Sequence, residues 1–147
     1  MLNWKTKAFT ELNNYELYEL LKLRSKVFVV EQNCVFLDMD DKDQNSLHVL
    51  GFDNEVLMAC SRLLHAGVSY ELASIGRVVT DPAYRRKGAV RELMQVSVDQ
   101  LYDEFGKQPI RIGAQCYLIA FYESIGFNIN SDEYLEDGIP HVEMLRL

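Results

Sequence analysis

The sequence predicts a single α+β domain over residues 1–147, with a sheet flanked by helices. Three observations predict it. The periodicities along the chain run β-α-β-β-β-α-β-α-β-β, alternating at a period of two and of about 3.6 residues. Three strands, at residues 46–53, 56–65 and 70–80, follow one another with only turns between them, which makes them antiparallel neighbours. No repeat, low-complexity stretch or interdomain linker interrupts the chain. A chain of 147 residues with 48% hydrophobic and 11% aromatic residues has enough apolar surface for one real core.

The elements follow in order. Residues 2–9 alternate loosely, with Leu2, Trp4, Thr6 and Ala8 on one side, and read as a first strand. Asn13 with Glu16 three residues on has the pattern of a capping box. Leu17, Leu20, Leu21, Arg24 and Phe28 then recur at helical spacing, with Leu23, Val27 and Val30 widening the apolar face, and the helix is expected to end near Val30. Residues 38–45 are acidic but lack the glycine and terminal glutamate of a calcium loop, so they read as a solvated loop. Asp53-Asn54 is a hairpin turn and Gly67 marks the next one. After the third of those strands, Val90, Leu93, Met94, Leu101 and Phe105 form the apolar face of a long helix. Residues 110–114 are a short apolar strand, and residues 117–125 a short helix closed by Gly126. Residues 134–136 and 142–147 form a terminal pair joined through Asp137-Gly138.

The stretch from Ser74 to Phe105 carries the chemistry. A strand ends at Thr80, a turn follows at Asp81-Pro82-Ala83-Tyr84, and Arg85-Arg86-Lys87-Gly88-Ala89-Val90 leads into the long helix. The first N–H groups of a helix lack intrahelical partners and lie at the positive end of its dipole. Three cations and a glycine placed there make a seat for phosphate oxygens. The two commonest phosphate motifs, G-x-x-x-x-G-K-[ST] and G-x-G-x-x-G after a strand, are absent. A basic turn that only caps a helix is the plain alternative.

The spacing Arg85-x-x-Gly88 resembles the [QR]-x-x-G-x-[GA] pyrophosphate loop of the GNAT family of acetyl-coenzyme A-dependent N-acetyltransferases, with Val90 in place of the last small residue. Ala120-Phe121-Tyr122-Glu123-Ser124-Ile125-Gly126-Phe127 is similar to that family's A-x-F-Y-x-x-x-G-F segment. Residues 23–34, from Leu23-Arg24 through Val29-Val30-Glu31-Gln32 to Cys34, resemble the L-R-x-x-V-F-V-V-E-Q-x-C segment of its ElaA-like branch. Glu136-Asp137-Gly138-Ile139-Pro140-His141 resembles the same branch's E-D-G-I-P-H. The resemblance implies the GNAT acyl-coenzyme A N-acyltransferase fold, a central mixed, mostly antiparallel sheet flanked by helices.

It also implies roles. Acetyl-coenzyme A is the expected donor, leaving as coenzyme A, and a primary amine of a small molecule or peptide is the expected acceptor. Val78, Val79 and Thr80 would receive the pantetheine arm on a splayed strand edge, and Arg85, Arg86, Lys87, Gly88, Ala89 and Val90 the pyrophosphate. Tyr122 would be the acid for the departing thiolate. The fourth-strand glutamate that some members use as a base corresponds here to Ser74, so Glu31, His141 and Glu143 are the candidate bases. A non-catalytic acyl-coenzyme A binder with a decayed loop is the alternative that Val90 motivates, and Tyr122 argues against it.

The remaining composition sets bounds. A net charge of −7 disfavours nucleic acid and favours a cationic, amine-bearing substrate. Cys34, Cys60 and Cys116 are odd in number and form no C-x-x-C pair, which argues against a disulfide framework or a metal site and for the cytoplasm. No apolar run approaches the ~20 residues that span a bilayer, and residues 1–7 carry no apolar signal core. No membrane partner is therefore expected, and a homodimer is left open.

Overall fold

The computed structural model describes residues 2–85 and 87–147. Strand β1 (Asn3–Ala8) leads to helix α1 (Asn14–Arg24), followed by β2 (Leu47–Asp53), β3 (Val56–Leu64) and β4 (Ser74–Thr80). Helix α2 (Ala89–Phe105), β5 (Ile110–Gln115), the short helix α3 (Ile119–Glu123), β6 (Asn128–Ile129), β7 (Tyr134–Glu136) and β8 (Ile139–Arg146) complete the chain. The first four strands form an antiparallel sheet in the order β1-β2-β3-β4. The others gather around β8, which pairs antiparallel with β5, β6 and β7.

Helix α2 joins the two sheets. Its apolar stripe of Leu93, Met94, Val98 and Leu101 packs against Val49, Leu63 and Ile75 of one sheet and Ile110, Ile112, Val142 and Met144 of the other. Each such side chain stabilises the fold by roughly 1.5–3 kcal/mol relative to an exposed one. Helix α1 covers the opposite face of the first sheet only, through Leu20 and Leu23 on Leu50, Leu57, Cys60 and Val79. Asn13 caps it by accepting from the Glu16 amide at 2.8 Å, while the Glu16 carboxylate accepts from the Asn13 amide, as the sequence pattern expects. Among the described residues no helix is long and apolar enough to cross a membrane.

The first helical stretch ends at Glu31, next to the Val30 that the sequence predicts, and from Ser25 onward it is wound as a π-helix, with the Gln32 amide donating to the Val27 carbonyl at 3.1 Å. Two local readings change. Beta strand β6 is only two residues long, too short to leave a period in the sequence. Residues 38–45 are not a solvated loop. Asp38 and Asp43 are buried, and Arg24, fully buried on the inner side of α1, donates to both at 2.8 Å. Arg62 of β3 bonds Asp40 and Asp43, and Arg77 of β4 bonds Asp38. Three arginines and three aspartates thus neutralise one another beneath the sheet, because a buried charge survives only when it is paired and hydrogen-bonded.

Candidate active site

The site begins where two parallel strands part. Ala73 and Ile110 form an isolated parallel bridge, with the Arg111 amide donating to the Ala73 carbonyl at 2.9 Å. Beyond that bridge β4 pairs only with β3 and β5 only with β8, so the facing edges diverge. A cleft of about 970 Å³ fills the wedge. A bulge in β4 opens it further: Arg77 has φ +47°, and two residues, Arg77 and Val78, stand against Ser61 of β3. The Arg77 side chain fixes the bulge by donating from Nε to Asp38 Oδ1 and from Nη2 to the Asp38 carbonyl, at 2.8 and 2.9 Å.

Val78, Val79, Thr80, Arg85, Val90, Glu31, Tyr122 and His141 all line this cleft. The sequence reading scattered them over more than a hundred residues; the fold gathers them around one opening. Lys87 and Ala89 stand apart from it: Lys87 Nζ lies over the Tyr84 ring at 5.2 Å, and Ala89 is buried in the core. Arg86 lies outside the described residues.

Gly88, which like Lys87 and Ala89 does not itself line the cleft, lies in sequence between the lining residues Arg85 and Val90 and is the N-cap of α2, with φ +75° and no side chain to cap the helix. The amides of the first turn therefore have no intrahelical partner, and the helix dipole makes that end positive. These features fit a pyrophosphate. The turn before them is tied to the π-helical segment by two ion pairs. Lys26 Nζ meets Asp81 Oδ2 at 2.8 Å, and the Arg85 guanidinium bonds both carboxylate oxygens of Glu31. The Arg85 hydrogen bonds hold the Glu31 carboxyl below its ordinary range, which makes it a weaker base.

Inside the cleft Tyr122 sits on α3, buried between Phe121 and Phe127, whose rings approach edge-on at 5.2 and 5.9 Å. Arg91 of α2 clamps that helix by donating to Ser124 Oγ at 3.1 Å and lying over Phe121 at 5.4 Å. Among the described residues the Tyr122 hydroxyl has no hydrogen-bond partner, and burial pushes its phenol up to about 12.

Across the opening, His141 lies on β8 opposite Gln115 of β5. Its Nδ1 is 2.7 Å from the Ile139 carbonyl and can bond it only as a donor, so in the neutral ring Nε2 carries the lone pair. Nε2 is 3.5 Å from Glu136 Oε2, and the ring stacks on Tyr134 at 5.9 Å. Glu143 is engaged by Arg111 at 3.0 Å. His48 is buried against the Asp43 carbonyl, and His65 stacks on Phe105; neither lines the cleft.

The acetyltransferase (GNAT) domain model matches residues 26–146. The chain is 38% identical to ElaA of Escherichia coli, over 99% of its own length and 97% of that protein's. It is 40% identical to a UPF0039 protein of Schizosaccharomyces pombe, over 97% and 95% of the two lengths. The crystal structure of Escherichia coli ElaA superposes with a TM-score of 0.93, covering both chains fully. That of an acyl-CoA N-acyltransferase from Pseudomonas aeruginosa, 36% identical, superposes with a TM-score of 0.95, again over both full chains. With the cleft between splayed strands and its contents, these matches show that the chain belongs to the GNAT acetyltransferase family, in its ElaA-like branch.

Proposed function

We propose that this acyltransferase moves an acetyl group from acetyl-coenzyme A to a primary amine of a small molecule or peptide by direct attack. The observation that carries the reading is the divergence of β4 from β5, with the buried Tyr122, whose hydroxyl has no partner among the described residues, in the wedge and a side-chain-free helix N-cap beside it. Acetyl-coenzyme A supplies an activated thioester carbonyl. The diverging edge of β4 at Val78, Val79 and Thr80 offers backbone groups that an extended arm can pair with like an added strand. An N–H on that edge stabilises charge that develops on an acyl oxygen. The α2 amides, with Arg85 beside them, take the phosphates.

His141 is the base this arrangement favours. Its Nδ1 is committed to Ile139, its Nε2 is open to accept a proton, and Glu136 stands near enough to stabilise the resulting imidazolium. Glu31 is already neutralised by Arg85, for whose guanidinium it competes with phosphate. Tyr122 donates to the leaving sulfur. The test is release of the coenzyme A thiol from acetyl-coenzyme A in the presence of a library of amines, with purified protein. Release above the amine-free rate for at least one acceptor is expected, and tight coenzyme A binding without any turnover would overturn the reading.

A further inference from the structure

We propose, on the basis of that acyltransferase reading, that the acceptor carries a carboxylate beside its amine, and that Arg62 takes this carboxylate on the cleft face opposite α2.

The arginines of the charge cluster differ in how many of their donors are used. Arg24 uses Nε, Nη1 and Nη2 on Asp38 and Asp43. Arg77 uses Nε and Nη2 on Asp38. Arg62 binds Asp40 and Asp43 through Nη1 and Nη2 alone, while its Nε has no acceptor among the described residues, although the residue is only 3% exposed. Buried donors are nearly always satisfied, so an open one needs a reason. Nε–H and the outer hydrogen of Nη2 form a side-on fork that matches a carboxylate.

That fork lies under the cleft. Arg62 on β3 is the register partner of Gly76 on β4, and both line the opening. A Cβ at Gly76 would stand 3.8 Å from Arg62 Nε, so no side chain at this position lies against the guanidinium edge, although Nε itself has almost no contact with solvent. Lys42 lines the same wall, with Nζ on Ser69 Oγ at 2.9 Å, and adds a second cation. On the facing strand, Gly113 stands as far beyond the Ala73–Ile110 bridge as Gly76 does. A Cβ there would fall 2.9 Å from the Tyr70 hydroxyl and 3.1 Å from that of Tyr134. One wall of the passage therefore carries Arg62 and Lys42 together with Asp40, and the other carries the two tyrosine hydroxyls. The protein's net charge of −7 attracts an amine but repels an acid, so a carboxylate-bearing acceptor needs such a local seat.

The test uses matched pairs that differ only in the carboxylate: L-lysine and cadaverine, L-phenylalanine and phenethylamine, β-alanine and ethylamine. Coenzyme A release is expected to favour the carboxylated members by about 10- to 100-fold in kcat/KM, the worth of a hydrogen bond to a charged group. Gly76→Ala is the clean variant, because Arg62 substitutions strand Asp40. Its new methyl makes ordinary contacts with Leu64 Cδ1 at 3.7 Å and Arg62 Nε at 3.8 Å, which closes the approach to Nε from β4. It should bring the ratio near one by raising KM for the carboxylated member more than it lowers kcat. The same pairs are tested for raising the melting temperature in the presence of coenzyme A, which reads binding without turnover. Carboxylate-dependent binding that Gly76→Ala removes, without thiol release, would support the seat and defeat the acyltransferase reading. Thiol release with no carboxylate preference, or with a preference that Gly76→Ala leaves intact, would overturn the seat alone. Neither binding preference nor release would overturn both.

Discussion

Replacing Tyr122 by phenylalanine removes one oxygen and keeps the ring between Phe121 and Phe127. The size of the effect follows from the burial of that side chain. Burial pushes the phenol up to about 12, whereas a free thiol loses its proton near ~8.5. Handing the proton over completely would then run uphill. Tyr122 must act chiefly as a hydrogen-bond donor to the sulfur as it gains charge. A hydrogen bond to a charged group contributes about 1.5–3 kcal/mol, which predicts a fall in kcat of about 10- to 150-fold rather than the full range open to general acids. Stability should change by about 1 kcal/mol or less, since no described group loses a partner. The assay is steady-state thiol release under conditions where chemistry limits, paired with thermal melting. Turnover within threefold of the parent would refute the reasoning, as would a drop in melting temperature of many degrees. The pH profile gives a further check: with the phenol protonated far above neutrality, no basic limb below about pH 10 belongs to Tyr122.

Other perturbations separate the remaining roles. Glu31→Gln frees Arg85 for phosphate; both side chains are about 40% exposed, so coenzyme A should bind only about two- to fivefold tighter by calorimetry, while a fall in kcat beyond tenfold would make Glu31 the base. Arg24→Met strands Asp38 and Asp43 in the interior and should lower unfolding free energy by about 3–5 kcal/mol in urea titrations; a loss under 1 kcal/mol would mean that Arg62 and Arg77 suffice for both aspartates. Acid should destabilise the domain through the same cluster. Burial pushes Asp40 and Asp43 up, but the hydrogen bonds and charges of Arg62 and Arg24 outweigh it and hold both carboxyls below their usual range. The stability they contribute is therefore fully present above about pH 4 to 5 and is lost as pH falls below the ordinary carboxylate value, which melting curves from pH 7 to pH 2 would follow.

The parts of the site that were legible in the sequence are those written in local chemistry. The helix start at Gly88, the capping box at Asn13 and the turn at Asp137-Gly138 each need particular residues at fixed offsets, so the pattern survives without the fold. The resemblance then placed Tyr122 and His141, which no periodicity could have singled out. The buried charge cluster was misread because each half looks ordinary alone. Arg24 in an apolar stripe and a run of aspartates at 38, 40 and 43 become one object only when the fold joins them. The signal was present, since an arginine on the core side of a helix obliges carboxylates somewhere else. The partition of Glu31 onto Arg85 and the open edge of Arg62 had no trace in sequence spacing, because both depend on residues brought together across the sheet.

The parting of β4 from β5 has a bearing on how this protein behaves in a crowded solution. An unpaired strand edge is a template on which other chains can polymerise, and proteins usually blunt it with charge, proline or a covering element. Here an open edge faces inward, across a wedge whose opposite wall is another strand of the same molecule. A neighbour's sheet would have to enter between β4 and β5 to pair with this edge, so the molecule's own opposite strand serves as the gatekeeper of an adhesive edge.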